Sequence, residues 1–236
     1  MKRLSHKWFD EPIELSREEH YHLIIEDPKR YRDFLLELRE VTNGTPSEMF
    51  RYYDEEKDYS FSKDIYLIEN PLNIPFDEKK LNLTIQKDLS SKISYHEKEE
   101  YLLLIQKINE YIENISNDYP LFLDFDHDMP LLNFLKAFSL QYSGNEEDYL
   151  SYLVHKLRIL SQVFSYKIFI IQNIHDYLTQ DEIILLEQEM LSLEIIGIFL
   201  SNHVSKTHFS NEIQFILDED LAVIRVDYKN QKNYNN

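Results

Sequence analysis

Residues 167–200 read KIFIIQNIHDYLTQDEIILLEQEMLSLEIIGIFL, and this stretch decides the fold. Lys167–Gln172 is a continuous apolar strand, with no alternation that would leave one face in water. Thr179 followed by Glu182 is a capping pair and opens a helix that runs to about Leu193. Ile195–Leu200 is a second apolar strand. Two such strands joined by a helix predict a parallel sheet covered on both faces.

The same texture recurs at both chain ends. Leu23–Ile25 reads as a short buried strand, after which Asp27 caps and Pro28 begins a helix to about Val41, stopped by Thr42-Asn43-Gly44. Met49–Tyr53 and Ile65–Ile68 read as strands, followed by breakers at Asn70-Pro71 and Pro75. Ile213–Leu217 and Leu221–Val226 read as a hairpin around Asp218-Glu219-Asp220.

The middle of the chain is different. Leu81, Ile85, Leu89 and Ile93 recur every four residues, and Ser94 with Glu97 forms a capping box. Tyr101, Ile105, Ile108, Ile112 and Ile115 alternate steps of four and three, the seam of a helix packed on a helix. Leu121–Phe125 is extended, and Asp128 with Pro130 starts a helix through Phe138. Asn145 is the expected cap of a long helix carrying Leu150, Leu153, Val154, Leu157, Leu160, Ser161 and Phe164. The predicted architecture is α/β, a mostly parallel sheet head from residues 1–75 and 165–236, with an inserted α-helical domain over 76–164. The polar, Asn-rich stretch after Tyr228 is expected to fray.

Composition narrows the chemistry. The chain has 236 residues, 43% of them hydrophobic, with a formal charge of −18. It has only 3 glycines, too few for a Gly-rich phosphate loop or a Gly-x-Gly dinucleotide turn. A P-loop NTPase activity is thereby excluded, while that fold without its active site, lacking a Walker A loop, stays possible: the strand Lys167–Gln172 ends on Asn173 where such folds place a magnesium-binding acid. With 0 cysteines there is no thiolate nucleophile, disulfide or Cys-based zinc site, which suits a cytoplasmic location. Met1–Asp10 lacks the apolar core of a signal peptide, and the longest apolar run is too short to span a bilayer.

Charge is sorted by segment. From Ile108 to Leu135 there is no Lys or Arg, while Glu110, Glu113, Asp118, Asp124, Asp126 and Asp128 fall there. Alternate carboxylates in an extended Asp124-x-Asp126-x-Asp128 would point to one side and offer hard oxygen ligands for calcium or magnesium. The pattern is not an EF-hand loop, since Met129 and Leu135 stand where Gly and Glu are required. The bland reading is that Asp128 caps the Pro130 helix and its neighbours are solvated; both readings stay open.

Tyr149–His175 has no Asp or Glu and holds Lys156, Arg158 and Lys167 with His155 and His175. Gly197–Asn211 is also free of acids and holds Lys206, His203 and His208. In so acidic a chain these are the places to receive a polyanion, although a buried helix and strand would lack acids for a different reason. His203 with His208 lacks a third ligand for zinc. A metal nuclease of the Asp…Glu-x-Lys type could be forced from Asp54 with Glu55 and Lys57, but such triplets are common in a chain this charged.

Several strings, in order, resemble a known family. They are LIIEDPKRY from Leu23, KDIYLIENPLNI from Lys63, FLKAF from Phe134, FIIQNIHDYLT from Phe169 and IQFILDED from Ile213. Together, over about residues 9–226, they resemble the small adaptation-specific protein of type II-A CRISPR systems. The resemblance implies a non-catalytic, ring-shaped homotetramer that binds double-stranded DNA ends in its central hole. It implies a role in spacer acquisition for antiviral defence, beside the integrase pair and the RNA-guided effector nuclease. It further implies an α/β head with an elongated helical leg, and structural calcium held by carboxylates between them. Asp124, Asp126 and Asp128 are the positions that best match those acids, with Glu110 and Glu113 as further contributors. Lys156, Arg158, Lys167 and Lys206 are the DNA-binding candidates on the charge argument alone. An adaptor that docks proteins and never touches DNA is the alternative from another class.

Overall fold

The computed structural model describes residues 1–144 and 148–228. The chain forms two compact units, Met1–Pro75 with Glu146–Asn236, and Phe76–Asn145. In order, the first unit opens with strands β1 (Arg3–His6), β2 (Ile13–Glu14) and β3 (His20–Ile25), then helix α1 (Pro28–Thr42), strand β4 (Phe50–Tyr53), the short helix α2 (Phe61–Asp64) and strand β5 (Ile65–Ile68). The second unit holds helices α3 (Glu78–Lys92), α4 (Tyr95–Asn117) and α5 (Leu131–Ala137). The first unit resumes with helix α6 (Tyr149–Gln162), strand β6 (Ile168–Gln172), a 3₁₀ turn at Ile174–Asp176, helix α7 (Gln180–Ser192), and strands β7 (Ile196–Ser201), β8 (Glu212–Leu217) and β9 (Val223–Asp227).

The main sheet has the order β5-β6-β7-β3-β8-β9. Every neighbouring pair in it is parallel except β8 with β9. The stretch 167–200 thus supplies two adjacent central strands and the helix that crosses between them, as its apolar pattern requires. β3 and β6 are buried along nearly their whole lengths, which only a doubly covered sheet allows. The final hairpin turns without glycine. Asp218 Oδ1 accepts from the backbone N–H groups of Asp220 and Ala222, at 2.9 and 2.8 Å, and Leu221 takes a left-handed φ of 69°.

A second, three-stranded antiparallel sheet, β2-β1-β4, belongs to the same unit and is not anticipated by the sequence reading. Its strands are short, and two of them lie in a polar N-terminal segment. Leu4 and His6 face inward on β1, and His6 sits among Phe34, Phe50 and Trp8, with ring centroids 4.8, 4.5 and 4.8 Å away. Its Nδ1 accepts from the Trp8 N–H at 3.2 Å.

Two boundaries differ from expectation. Helix α6 belongs to the α/β unit, so the insertion closes near residue 145 and not at 164. Its stripe of Leu153, Leu157 and Leu160 is completely buried, and Tyr152 Oη accepts from the Ile74 N–H at 2.8 Å, which ties the helix to the segment after β5. The helix is capped by Asp148, whose carboxylate accepts from the Ser151 N–H at 2.9 Å; Asn145 and the tail beyond Tyr228 lie outside the described residues.

In the helical unit Leu81 is buried but Leu89 is exposed, and along α4 only Ile105 is fully buried. Leu102, Leu103, Leu104, Tyr111, Ile115 and Phe122 face solvent. Of the seam read from the sequence, Tyr101, Ile108 and Ile112 are only half-buried and Ile115 faces solvent, so this small unit does not cover it.

Burial pushes the His6 imidazole down to about 4, so the folded protein holds it neutral. The unfolded chain binds a proton near pH 6.5 that the folded chain refuses until about pH 4, so stability falls as pH drops through that window. Urea unfolding at pH 7 and pH 4.5 should show a loss of at most about 3 kcal/mol attributable to this group. The His6→Phe variant should lose correspondingly less than wild type over the same interval.

Candidate functional site

Polar side chains enter the parallel sheet at β3 and β8. In the register, His20 lies opposite Glu212 and His22 opposite Gln214, so all four project to the same face. Ser201, at the end of β7, comes to that face as well, and His175 arrives on the 3₁₀ turn that follows β6. All of these residues are buried.

Glu212 is the hub. Its Oε1 lies 3.2 Å from His22 Nδ1 and accepts from Gln214 Nε2 at 2.8 Å. Its Oε2 lies 3.0 Å from His175 Nε2 and accepts from the Phe209 N–H at 3.0 Å. Burial alone would raise its pKa, but the hydrogen bonds from His175 and His22 outweigh that and hold the carboxyl below its usual range. An ionised carboxylate without solvent contact results, and it needs a positive charge close by.

The protons on His22 follow from its neighbours. Ser201 Oγ donates to the His203 carbonyl at 2.7 Å, which uses its one hydrogen. The 2.7 Å contact between Ser201 Oγ and His22 Nε2 must therefore be donated by the imidazole. With Nε2 carrying a proton, a neutral His22 would turn a bare Nδ1 lone pair toward Glu212. Burial lowers the His22 pKa against the pull of Glu212, and a cation between the two groups, a proton or a metal ion, would relieve the facing lone pairs. The Ser201–His22–Glu212 connectivity is that of a hydrolytic triad, but all three residues are buried and the serine proton points away from the base.

Four atoms around this hub have no hydrogen-bond partner among the described residues: His20 Nδ1 and Nε2, His175 Nδ1 and Glu187 Oε1. Burial lowers the His20 pKa against the pull of Glu187 and Glu212, so its ring stays neutral. Gly197 is opposite this ring for a steric reason. A Cβ there would come within 2.7 Å of Met190 Cε, 2.8 Å of Phe199 Cζ and 3.2 Å of His20 Nδ1.

The acids expected to hold calcium stand in the helical unit. Glu110 and Glu113 are exposed on α4, and Asp124, Asp126 and Asp128 are exposed on the irregular segment before α5. Asp124 Oδ1 accepts from the Phe125 N–H and Asp126 Oδ1 from the Asp128 N–H, each at 3.0 Å. Gln106 Nε2 donates to Glu110 at 3.1 Å, and His127 lies 3.9 Å from Glu113. Asp128 does not cap the following helix, whose N-cap is Pro130 without a side-chain bond. Their oxygen chemistry suits calcium. Among the described residues, however, the one set of three metal-ligating side chains with ligand atoms within 4.8 Å of one another is His22, His175 and Glu212.

The basic candidates come from three places in the α/β unit. Lys156 and Arg158 stand on α6, where Lys156 Nζ lies 5.2 Å from the Tyr152 ring centroid and Arg158 is paired with Glu189 at 3.1 Å. Lys167 precedes β6, and Lys206 is on the β7–β8 connection; both are exposed and make no ion pair among the described residues. His203 and His208 do not converge on a zinc site. His203 pairs with Asp176 at 2.9 Å, whereas His208 stacks on Tyr228. The Asp54 carboxylate accepts from the Tyr59 hydroxyl and from the N–H groups of Glu56 and Lys57, which bring its pKa down to about 2. It is the clasp of a turn rather than a free metal ligand.

The His–Glu hub escapes a reading by charge runs, because its partners are as far apart as 190 residues. The available signal is polar residues two apart inside apolar strands, His20-x-His22 and Glu212-x-Gln214.

Among known proteins, the model of the family described as CRISPR-associated protein (Cas_Csn2) matches residues 44–221. No curated protein matches the chain. Solved structures similar to it include a bacterial Atm1-family ABC exporter with ATP bound, at 12% identity and TM-score 0.41, covering 95% of this chain and 36% of that one. An inward-facing ABC transporter assigned to the metal-chelate type gives 11% identity and TM-score 0.44, covering 98% and 85%. An assigned ABC-transporter ATP-binding protein from Pyrococcus furiosus gives 10% identity and TM-score 0.37, covering 90% and 97%.

Removing the Ser201 hydroxyl leaves the His22 Nε2–H buried without an acceptor. The Ser201→Ala variant should lose about 1–3 kcal/mol in urea unfolding, while Ser205→Ala, on the partly exposed loop, should stay within about 0.5 kcal/mol of wild type.

Proposed function

The chain belongs to the CRISPR-associated Cas_Csn2 family of type II-A adaptation proteins, and from that premise we propose that it is a non-catalytic ring that binds double-stranded DNA ends during spacer acquisition. The observation that carries this reading is the family match over residues 44–221. Two features of the molecule support it. The α/β unit displays Lys167 and Lys206 without carboxylate partners among the described residues, in a chain of net charge −18. The helical unit exposes Leu102, Leu103, Tyr111 and Phe122, an amount of apolar surface that association with further copies would cover.

In this reading Lys156, Lys167 and Lys206 meet phosphates. Arg158 would first have to leave Glu189. Contacts of this type position a duplex without reading its sequence. Calcium would be held by Asp124, Asp126 and Asp128 with Glu110 and Glu113, and would neutralise carboxylates that otherwise repel one another. The partners follow from the family: further copies in a homotetramer, DNA ends, the integrase pair and the RNA-guided effector nuclease. The exposed apolar side chains would equally serve an adaptor that docks protein and leaves DNA alone, so the decisive experiment compares DNA forms.

A gel-shift with linear and covalently closed duplex of equal length should show binding of the linear form alone. If six to ten phosphates are engaged, affinity should fall by about 10³–10⁵ between 50 and 200 mM salt. Absence of binding to either form would favour the adaptor. Replacing Asp126 and Asp128 by Ala should abolish the calcium-dependent rise in Tm and leave Tm in chelator unchanged. Equal losses in both conditions would make those residues structural without a metal.

A further inference from the structure

We propose that His22, His175 and Glu212 form a buried transition-metal site, of the kind that zinc occupies, inside the α/β unit. The inference is independent of the DNA-binding reading. The donor set is two imidazoles and a carboxylate, a combination that suits zinc over calcium or magnesium. Their ligand atoms lie within 4.8 Å of one another, and the two histidine–glutamate separations are 3.2 and 3.0 Å. Ligands bonded at 2.0–2.1 Å to a tetrahedral ion stand about 3.3 Å apart. His22 Nδ1 already lies near that distance from Glu212 Oε1 and His175 Nε2 from Oε2, so the carboxylate would ligate through both oxygens or turn one to the ion as the rings close.

The surroundings favour a metal over a proton. His22 donates Nε2–H to Ser201, which donates to the His203 carbonyl, so Nδ1 is left as the ligating atom. That relay is the outer-shell arrangement that fixes a metal-bound imidazole. His22 and His175 stack with centroids 4.3 Å apart and planes 9° from parallel, both turned to one carboxylate. The alternative to a metal is a single proton on His22, with a neutral His175 donating Nε2–H to Glu212; one divalent ion would instead engage both rings. The remaining lone pairs of Glu212 are engaged by Gln214 and the Phe209 N–H, as an oriented carboxylate ligand requires.

A second observation comes from the adjoining side chains. His20 is fully buried with neither nitrogen partnered, and Glu187 Oε1 and His175 Nδ1 are also unpartnered. Such a concentration of unsatisfied groups is rare in a folded interior without an ion or water among them. With all three ligands buried, the ion would enter during folding, and its binding energy would appear as stability.

The test uses the full chain, unfolded in denaturant with a chelator and refolded in matched buffers with zinc, with cobalt(II) or with neither metal. Zinc refolding should leave one metal ion per chain after exhaustive dialysis, undisplaced by millimolar calcium, and raise Tm by on the order of 5 °C. The cobalt form should show a visible absorption that the metal-free form lacks. His175→Phe should abolish retention, while the Asp126→Ala, Asp128→Ala double variant should keep it. Wild-type protein that refolds without retaining zinc or cobalt overturns the site, whether or not the His175 variant folds. So does retention unchanged in His175→Phe, and Glu212 would then be balanced by a proton on His22.

Discussion

An ionised carboxylate buried at the start of a sheet strand is the constraint from which the α/β unit is organised. Glu212 begins β8, and its four contacts reach β3 through His22, the turn after β6 through His175, its own strand through Gln214 and the β7–β8 connection through the Phe209 N–H. No solvent competes for any of them. A buried charge of this kind is costly unless each lone pair is met and a cation stands near. Sequence-distant strands are thereby held in one register, because sliding β8 by one residue would turn Glu212 to the other face.

The constraint extends to its neighbours. Gly197 is small because His20, Met190 and Phe199 occupy the volume a side chain would need. Phe199 and Phe209 stack at 4.4 Å and close the apolar wall beside His20 and His175. The β7–β8 connection returns to the start of the sheet without a helix, pinned by the Phe209 N–H on Glu212 and by Gln180, which bonds His208 through both ends of its amide. That connection also carries Lys206, so a residue offered to phosphate is mounted on a loop fixed by the buried hub.

Sequence and structure agree where the pattern is local. The strand–helix–strand reading of 167–200, the Asp27 cap, and the Ser94–Glu97 and Thr179–Glu182 capping boxes are all present, because each depends on residues three or four apart. The antiparallel sheet is missed since β1 pairs with β4 more than forty residues away and is only 4 residues long. Helix α6 is misplaced for a similar reason: its apolar stripe announces burial but not against what. The candidate site divides the same way. Carboxylates close in sequence are visible at once, yet they stand exposed and bonded to their own backbone. The histidines and glutamate that do converge are scattered, and only strand register brings them together.

The central claim is that the Glu212 charge, once balanced, holds the α/β unit together. Urea unfolding of Glu212→Gln against wild type at neutral pH tests it most directly, because glutamine keeps the shape and removes the charge. The account predicts a loss of about 3 kcal/mol or more, since the histidines and the Phe209 N–H would face a neutral amide. A variant as stable as wild type would contradict it.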